Sequence, residues 1–204
     1  GREIDLADYP STVTKVNAAA LTRGVSIIGS AAANSIKAGK GDDTIDGGSG
    51  NDILYGGAGN DVIGSSYGNN KIYGEAGNDS LVGGTGNDTL SGGAGSDVFF
   101  YFSGGGNDVI TDYKSGVDYI QINANEIEIE DVTLNGVNVI FTTNAGNITV
   151  QKAKDAKNVT IIDEDGIIIY PLDTLPSGWK FDSAKNLLQA TVASAENFID
   201  LNEE

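Results

Sequence analysis

GGSGNDILY (47–55), GGAGNDVIG (56–64), GGTGNDTLS (83–91) and GGAGSDVFF (92–100) decide the fold. They belong to one series. Aligning Asp43, Asp52, Asp61, Asp79, Asp88 and Asp97 gives a period of nine, with Asn70 filling the gap. Residues 38–100 divide into seven such units. The fourth position is always Gly: Gly41, Gly50, Gly59, Gly68, Gly77, Gly86 and Gly95. The eighth is always large and apolar: Ile45, Leu54, Ile63, Ile72, Leu81, Leu90 and Phe99. A helix would need apolar residues three and four apart, so a period of nine excludes it.

Six residues rich in Gly, Asn and Asp form a turn, because these types tolerate left-handed backbone. Three residues centred on an apolar one form a very short strand. Two units then close one coil with a strand on each side and a turn at each end. Stacked coils pair as parallel strands roughly 4.8 Å apart. The eighth-position side chains point inward and fill a narrow core.

Stacking raises an electrostatic problem. Asp43, Asp61, Asp79 and Asp97 fall on one edge of the stack, and Asp52, Asn70 and Asp88 on the other. Carboxylates one coil apart repel unless a cation lies between them. The turns add backbone carbonyl oxygens, and the candidates are Gly39, Gly41, Gly48, Gly50, Gly57, Gly59, Gly77, Gly84, Gly86, Gly93 and Gly95. Carboxylate and carbonyl oxygens without sulfur or imidazole make a hard-cation ligand set. Ca²⁺ suits it, since it takes about 6–8 oxygens with loose geometry whereas Mg²⁺ keeps its waters.

The units resemble the RTX nonapeptide repeat GGxGxDxUx, a calcium-binding parallel β-roll. The resemblance covers residues 38–122 closely. It implies an all-β fold, a right-handed roll with one Ca²⁺ between turns n and n+2, and several ions in all, roughly 4–7. It also implies export by type I secretion to the cell exterior or surface, with folding where calcium is abundant.

The register continues beyond the best units. GSAAANSIK (29–37) keeps Asn34 and Ile36 in phase without the glycines, and Val25–Ile28 reads as one more rung. Unit 65–73, SSYGNNKIY, has Ser65 and Ser66 for the leading glycines and Asn70 for Asp, and Glu75 replaces the second Gly of the next unit. Each site that Asn70 faces has one carboxylate fewer, so weaker or empty sites are expected around it. Downstream, two extra residues, Tyr101 and Phe102, shift the frame; Asp108 and Asp118 are then last-coil ligands, with Asp112 a further candidate. The cluster Phe99 to Phe102 is expected to close the core.

Residues 1–37 therefore read as N-terminal capping rungs, 38–122 as the roll, 123–170 as a β cap and 171–204 as a short β segment joining a next module. In the cap, Asn135-Gly136 joins a hairpin, Asn147–Gln151 and Val159–Ile162 are further strands, and Glu164-Asp165-Gly166 is a turn. Ile4-Asp5-Leu6 recurs as Ile199-Asp200-Leu201, which suggests one module of a tandem array.

Composition narrows the function. Twelve basic against 29 acidic residues give a net charge of −17, which opposes nucleic-acid binding. With no Cys, His or Met, disulfides, Cys/His zinc sites and Ser-His-Asp triads are excluded. The lack of Met also suggests a piece of a longer protein. No apolar run approaches the ~18 residues of a membrane span. Glu126, Glu128 and Glu130 alternate along one strand and read as a solvated face rather than a glycosidase pair. No catalytic constellation emerges, so the chain reads as a non-enzymatic, calcium-folding module of a large secreted or surface protein such as an adhesin. The alternatives are the C-terminal folding part of an exported protease, lipase or toxin, and a glycan-binding module using Trp179.

Overall fold

The computed structural model describes residues 2–9, 13–123, 127, 129–135, 138–151, 158–163, 166–171, 179–182, 187–190 and 199–200. Short strands alternate between two sheets. The first sheet runs β1 (Arg2–Asp5), β3 (Val25–Ser30), β5 (Thr44–Gly48), β7 (Val62–Gly64), β9 (Ser80–Val82), β11 (Val98–Tyr101), β13 (Tyr119–Ile122), β17 (Asn158–Asp163) and β18 (Gly166–Pro171). The second runs β2 (Lys15–Asn17), β4 (Ser35–Lys37), β6 (Ile53–Ala58), β8 (Lys71–Ala76), β10 (Thr89–Ala94), β12 (Gly106–Ile110), β16 (Gly146–Val150), β15 (Asn138–Thr143) and β14 (Ile129–Asn135). A small antiparallel sheet joins β19 (Trp179–Asp182), β20 (Leu187–Ala190) and β21 (Ile199–Asp200). The parallel sheets form a β-solenoid of about six turns. Among the described residues, no helix is long and apolar enough to cross a membrane.

The eighth-position residues build the core as two columns. In the first sheet, Ile27, Ile45, Ile63, Leu81, Phe99, Ile120 and Ile161 face one another in register. In the second, Ile36, Leu54, Ile72, Leu90, Ile110 and Val150 do the same. All of these are at most 2% exposed. Burying each side chain is worth about 1.5–3 kcal/mol, and each coil supplies only two of them. The apolar core therefore stays thin while the turns on either side are long.

The cap extends the roll edge to edge. β16 lies parallel to β12, with Gly106 opposite Gly146, and antiparallel to β15. β17 lies parallel to β13 and antiparallel to β18. Each sheet thus turns from parallel to antiparallel pairing, and β14 pairs with β15 in the expected hairpin. Tyr113 ties the cap on: its hydroxyl donates to the Asp118 carbonyl and accepts the Thr160 N–H, both at 2.8 Å.

The aromatic cluster divides differently from expectation. Phe99 and Tyr101 are buried, but Phe102 is 44% exposed and stacks on Phe100 outside the core. Successive strand residues point to opposite faces, so four consecutive aromatics cannot all close the interior. Glu126, Glu128, Glu164, Asp165 and Leu201 lie outside the described residues.

Candidate metal centre

Each sixth-position side chain sits where the turn enters its strand and reaches back one coil. On the first edge, the backbone N–H groups of Val25, Asp43, Asp61, Asp79 and Asp97 donate to Oδ1 of Asp43, Asp61, Asp79, Asp97 and Asp118, at 2.8–3.1 Å. On the second, those of Asn34, Asp52, Asn70 and Asp88 donate to Oδ1 of Asp52, Asn70, Asp88 and Asp108, at 2.7–2.9 Å. This ladder draws the carboxylates inward, and all eight aspartates are at most 3% exposed.

The second carboxylate oxygen distinguishes the positions. Oδ2 of Asp61, Asp79, Asp88 and Asp97 is buried without a hydrogen-bond partner. Beside Asp61 and Asp79 a carbonyl oxygen from the next coil approaches the same point. A Cβ added at Gly56 would stand 2.3 Å from Asp61 Oδ2 and 2.9 Å from the Gly74 oxygen. One at Gly74 would stand 2.2 Å from Asp79 Oδ2 and 2.6 Å from the Gly92 oxygen. Two acceptors therefore converge beside Gly56 and Gly74. Among the described residues no three acidic or other metal-ligating side chains cluster, so any cation depends on such carbonyls as well as on the acids.

Asp43, Asp112 and Asp118 have protein donors on that oxygen. Asp43 Oδ2 accepts the Gly39 N–H at 2.9 Å, and Asp118 Oδ2 accepts the Lys114 N–H at 2.7 Å. Asp112 uses both oxygens on the N–H groups of Gly92 and Gly93 and on the Ser91 hydroxyl. Lys114 Nζ donates to the Gly93 carbonyl. Of the candidate glycines, Gly48, Gly50, Gly57, Gly59, Gly77, Gly84, Gly86, Gly93 and Gly95 have the left-handed backbone of the turns, whereas Gly39 and Gly41 do not.

A second ladder escaped the sequence reading. At the fifth position, Oδ1 of Asp42, Asn60 and Asn78 accepts the N–H of Asn60, Asn78 and Ser96 on the first edge. Oδ1 of Asn51, Asn69, Asn87 and Asn107 accepts from Asn69, Asn87, Asn107 and Asn147 on the second. It runs opposite to the aspartate ladder, from each coil to the next. Its signal was visible as Asn in five of the seven units, at 51, 60, 69, 78 and 87.

Residues 28–63 and 65–99 match the family model of the RTX calcium-binding nonapeptide repeat (4 copies). The repeats are RTX repeats. No curated protein matches the chain. Among solved structures, it resembles the extracellular lipase LipA from Serratia marcescens at 16% identity and a TM-score of 0.31. That likeness covers 63% of this chain and 38% of the lipase. RTX repeats bind Ca²⁺, form a structural rather than catalytic module, and are typical of secreted Gram-negative proteins.

Without a cation, burial pushes the RTX carboxyls up. Asp61 and Asp79 rise from 3.8 to about 6, with neighbouring carboxylates adding to the effect and a backbone N–H opposing it. Asp108 rises to about 8, again through burial first. Asp52, Asp88, Asp97 and Asp118 are raised by the same cause. The folded chain then holds protons that the unfolded chain releases, so calcium-free stability falls as pH rises through these folded values. In chelator, acidification from about pH 7 to about pH 5 raises the folded fraction. A folded fraction, read by circular dichroism, that stays constant or drops on acidification would contradict this picture.

Proposed function

We propose that this chain is a calcium-folding structural module of a large secreted or cell-surface protein. The observation that carries the reading is the set of buried, unpartnered Oδ2 atoms of Asp61, Asp79, Asp88 and Asp97, each beside a glycine whose missing side chain leaves room. Asp61, Asp79 and Asp97 on the first edge, and Asp88 with Asp108 on the second, are the carboxylates that would hold Ca²⁺, together with turn carbonyls such as those of Gly74 and Gly92. Bound there, Ca²⁺ supplies positive charge between stacked acceptor oxygens and links one coil to the next. The protein side holds the Asp oxygens in place through the backbone N–H ladder. It also excludes water with the apolar columns and fixes the turn carbonyls by left-handed glycines.

Titration calorimetry tests the proposal. Calcium should bind at several sites with dissociation constants around 10⁻⁴–10⁻³ M, the range of extracellular modules, and equimolar Mg²⁺ should compete poorly. Asp79→Asn removes a charge from the middle of the first edge and should weaken binding there. Absence of binding at millimolar calcium, or equal binding of both ions, would overturn the reading.

A further inference from the structure

The second edge does not repeat the first. Asn70 Oδ1 accepts the Asp52 N–H at 2.9 Å, which fixes the amide orientation, and Nδ2 then donates to the Gly68 and Gly83 carbonyls, both at 3.2 Å. Gly83 is the first-position residue of the next coil on that edge, as Gly74 and Gly92 are on the first. Where Asp61 and Asp79 turn an oxygen toward that carbonyl, Asn70 turns an N–H. The pair that needs a cation on the first edge is a complete hydrogen bond on the second.

Ser65 does the same one coil earlier. Its hydroxyl stands 3.0 Å from Asp52 Oδ2 and 3.0 Å from the Gly48 oxygen. The Gly48 carbonyl already accepts the Ser66 N–H at 2.9 Å, so the single hydroxyl proton is most needed by the carboxylate. Ser65 occupies the first position, which is Gly in the coils beside Asp61, Asp79, Asp88 and Asp97. A side chain there would meet the orphaned oxygen at those four positions (2.2–2.3 Å from an added Cβ). Ser65 instead opens the unit of Asn70, and its hydroxyl reaches back one coil to bring a donor to Asp52, whose own first-position residue is Gly47. Asp52 Oδ2 is accordingly absent from the unpartnered group.

We infer that Ser65 and Asn70 stand in for calcium, so that the second edge between residues 47 and 83 is an ion-free seam held by hydrogen bonds. The inference rests on the calcium reading of the remaining positions. It goes beyond a loss of charge at Asn70, because two separate side chains supply donors to the oxygens that would otherwise face a cation. The seam divides the second edge: calcium acts there only from Asp88 onward, whereas the first edge carries unpartnered carboxylates from Asp61 to Asp97.

Two measurements test the inference. The first is a crystal structure of the wild-type chain grown in calcium, with ions located by anomalous scattering. It should show ions on the first edge and none between residues 47 and 83 on the second. An ion bound at Asn70 overturns the inference regardless of how any variant behaves. The second compares calcium stoichiometry by native mass spectrometry in wild type and the double variant Ser65→Gly, Asn70→Asp. The variant should bind at least one more ion and should need more calcium to fold. A folded variant with wild-type stoichiometry overturns the inference alone. A wild-type chain that binds no calcium overturns the proposed function and this inference with it.

Discussion

In chelator, residues 38–122 should lose their hydrogen-exchange protection and the far-UV spectrum should become that of a largely disordered chain. Millimolar calcium should restore both. The magnitude follows from the carboxylates. Asp61, Asp79, Asp88 and Asp97 are at most 1% exposed, and each keeps one unpartnered oxygen. A buried charge without compensation costs several kcal/mol, whereas the whole stability of a domain is about 5–15 kcal/mol. Four such groups are enough to outweigh it. The thin core gives little in return, since each coil buries two apolar residues while ordering the glycine-rich turns costs about 1–2 kcal/mol of backbone entropy per residue. A net charge of −17 adds general repulsion. Hydrogen-exchange mass spectrometry with and without chelator gives the readout by segment. Equal protection of 38–122 in both conditions would refute the expectation.

Gly77→Ala should be among the most damaging single substitutions in the turns. Gly77 has φ 138, and a Cβ there would stand 1.8 Å from the Gly59 carbonyl oxygen of the preceding coil. Left-handed backbone costs a residue with a side chain about 1–2 kcal/mol, and overpacking adds about 1–3 kcal/mol. The opposing atom belongs to backbone held by the ladder, so it cannot move aside cheaply. A loss of about 3 kcal/mol or more is expected in calcium. Gly116→Ala is the control: its φ is 74, but nothing lies within 4 Å of an added Cβ, so only the backbone part should remain. Denaturant unfolding of both variants in saturating calcium separates the two contributions. Equal, small losses would show that the close stacking of the fourth-position glycines carries no energy.

Much of this molecule was legible in its repeats. The in-phase Gly, Asp and apolar positions were enough to specify a parallel stack, because the same residue type every nine positions has only one arrangement that buries the apolar one and leaves the turns outside. Ile45, Leu54, Ile63, Ile72, Leu81, Leu90 and Phe99 form the core as read, and β14 and β15 pair antiparallel as the expected hairpin requires. The Asn ladder at the fifth position was equally periodic, but its side chains stay exposed and its partners lie one coil away, so no local pattern marks it.

Other features depended on contacts that no local pattern encodes. Gly146–Val150 continues the second sheet after a 40-residue step, a pairing recorded by Asn147 donating to Asn107, and the single Gly-Asn pair is too short a signal to mark it. The division of Phe99–Phe102 between inside and outside depended on where β11 ends and how its faces point. Above all, the sequence shows Asn70 in place of Asp and Ser65 in place of Gly, but whether an oxygen is orphaned depends on which donor stands opposite it in the next coil. Composition and spacing determined that this chain stacks acidic turns along two edges. Only the tertiary structure decided which positions leave bare oxygens for a cation and which supply their own N–H and O–H donors, because much of that choice is made between residues one full coil apart.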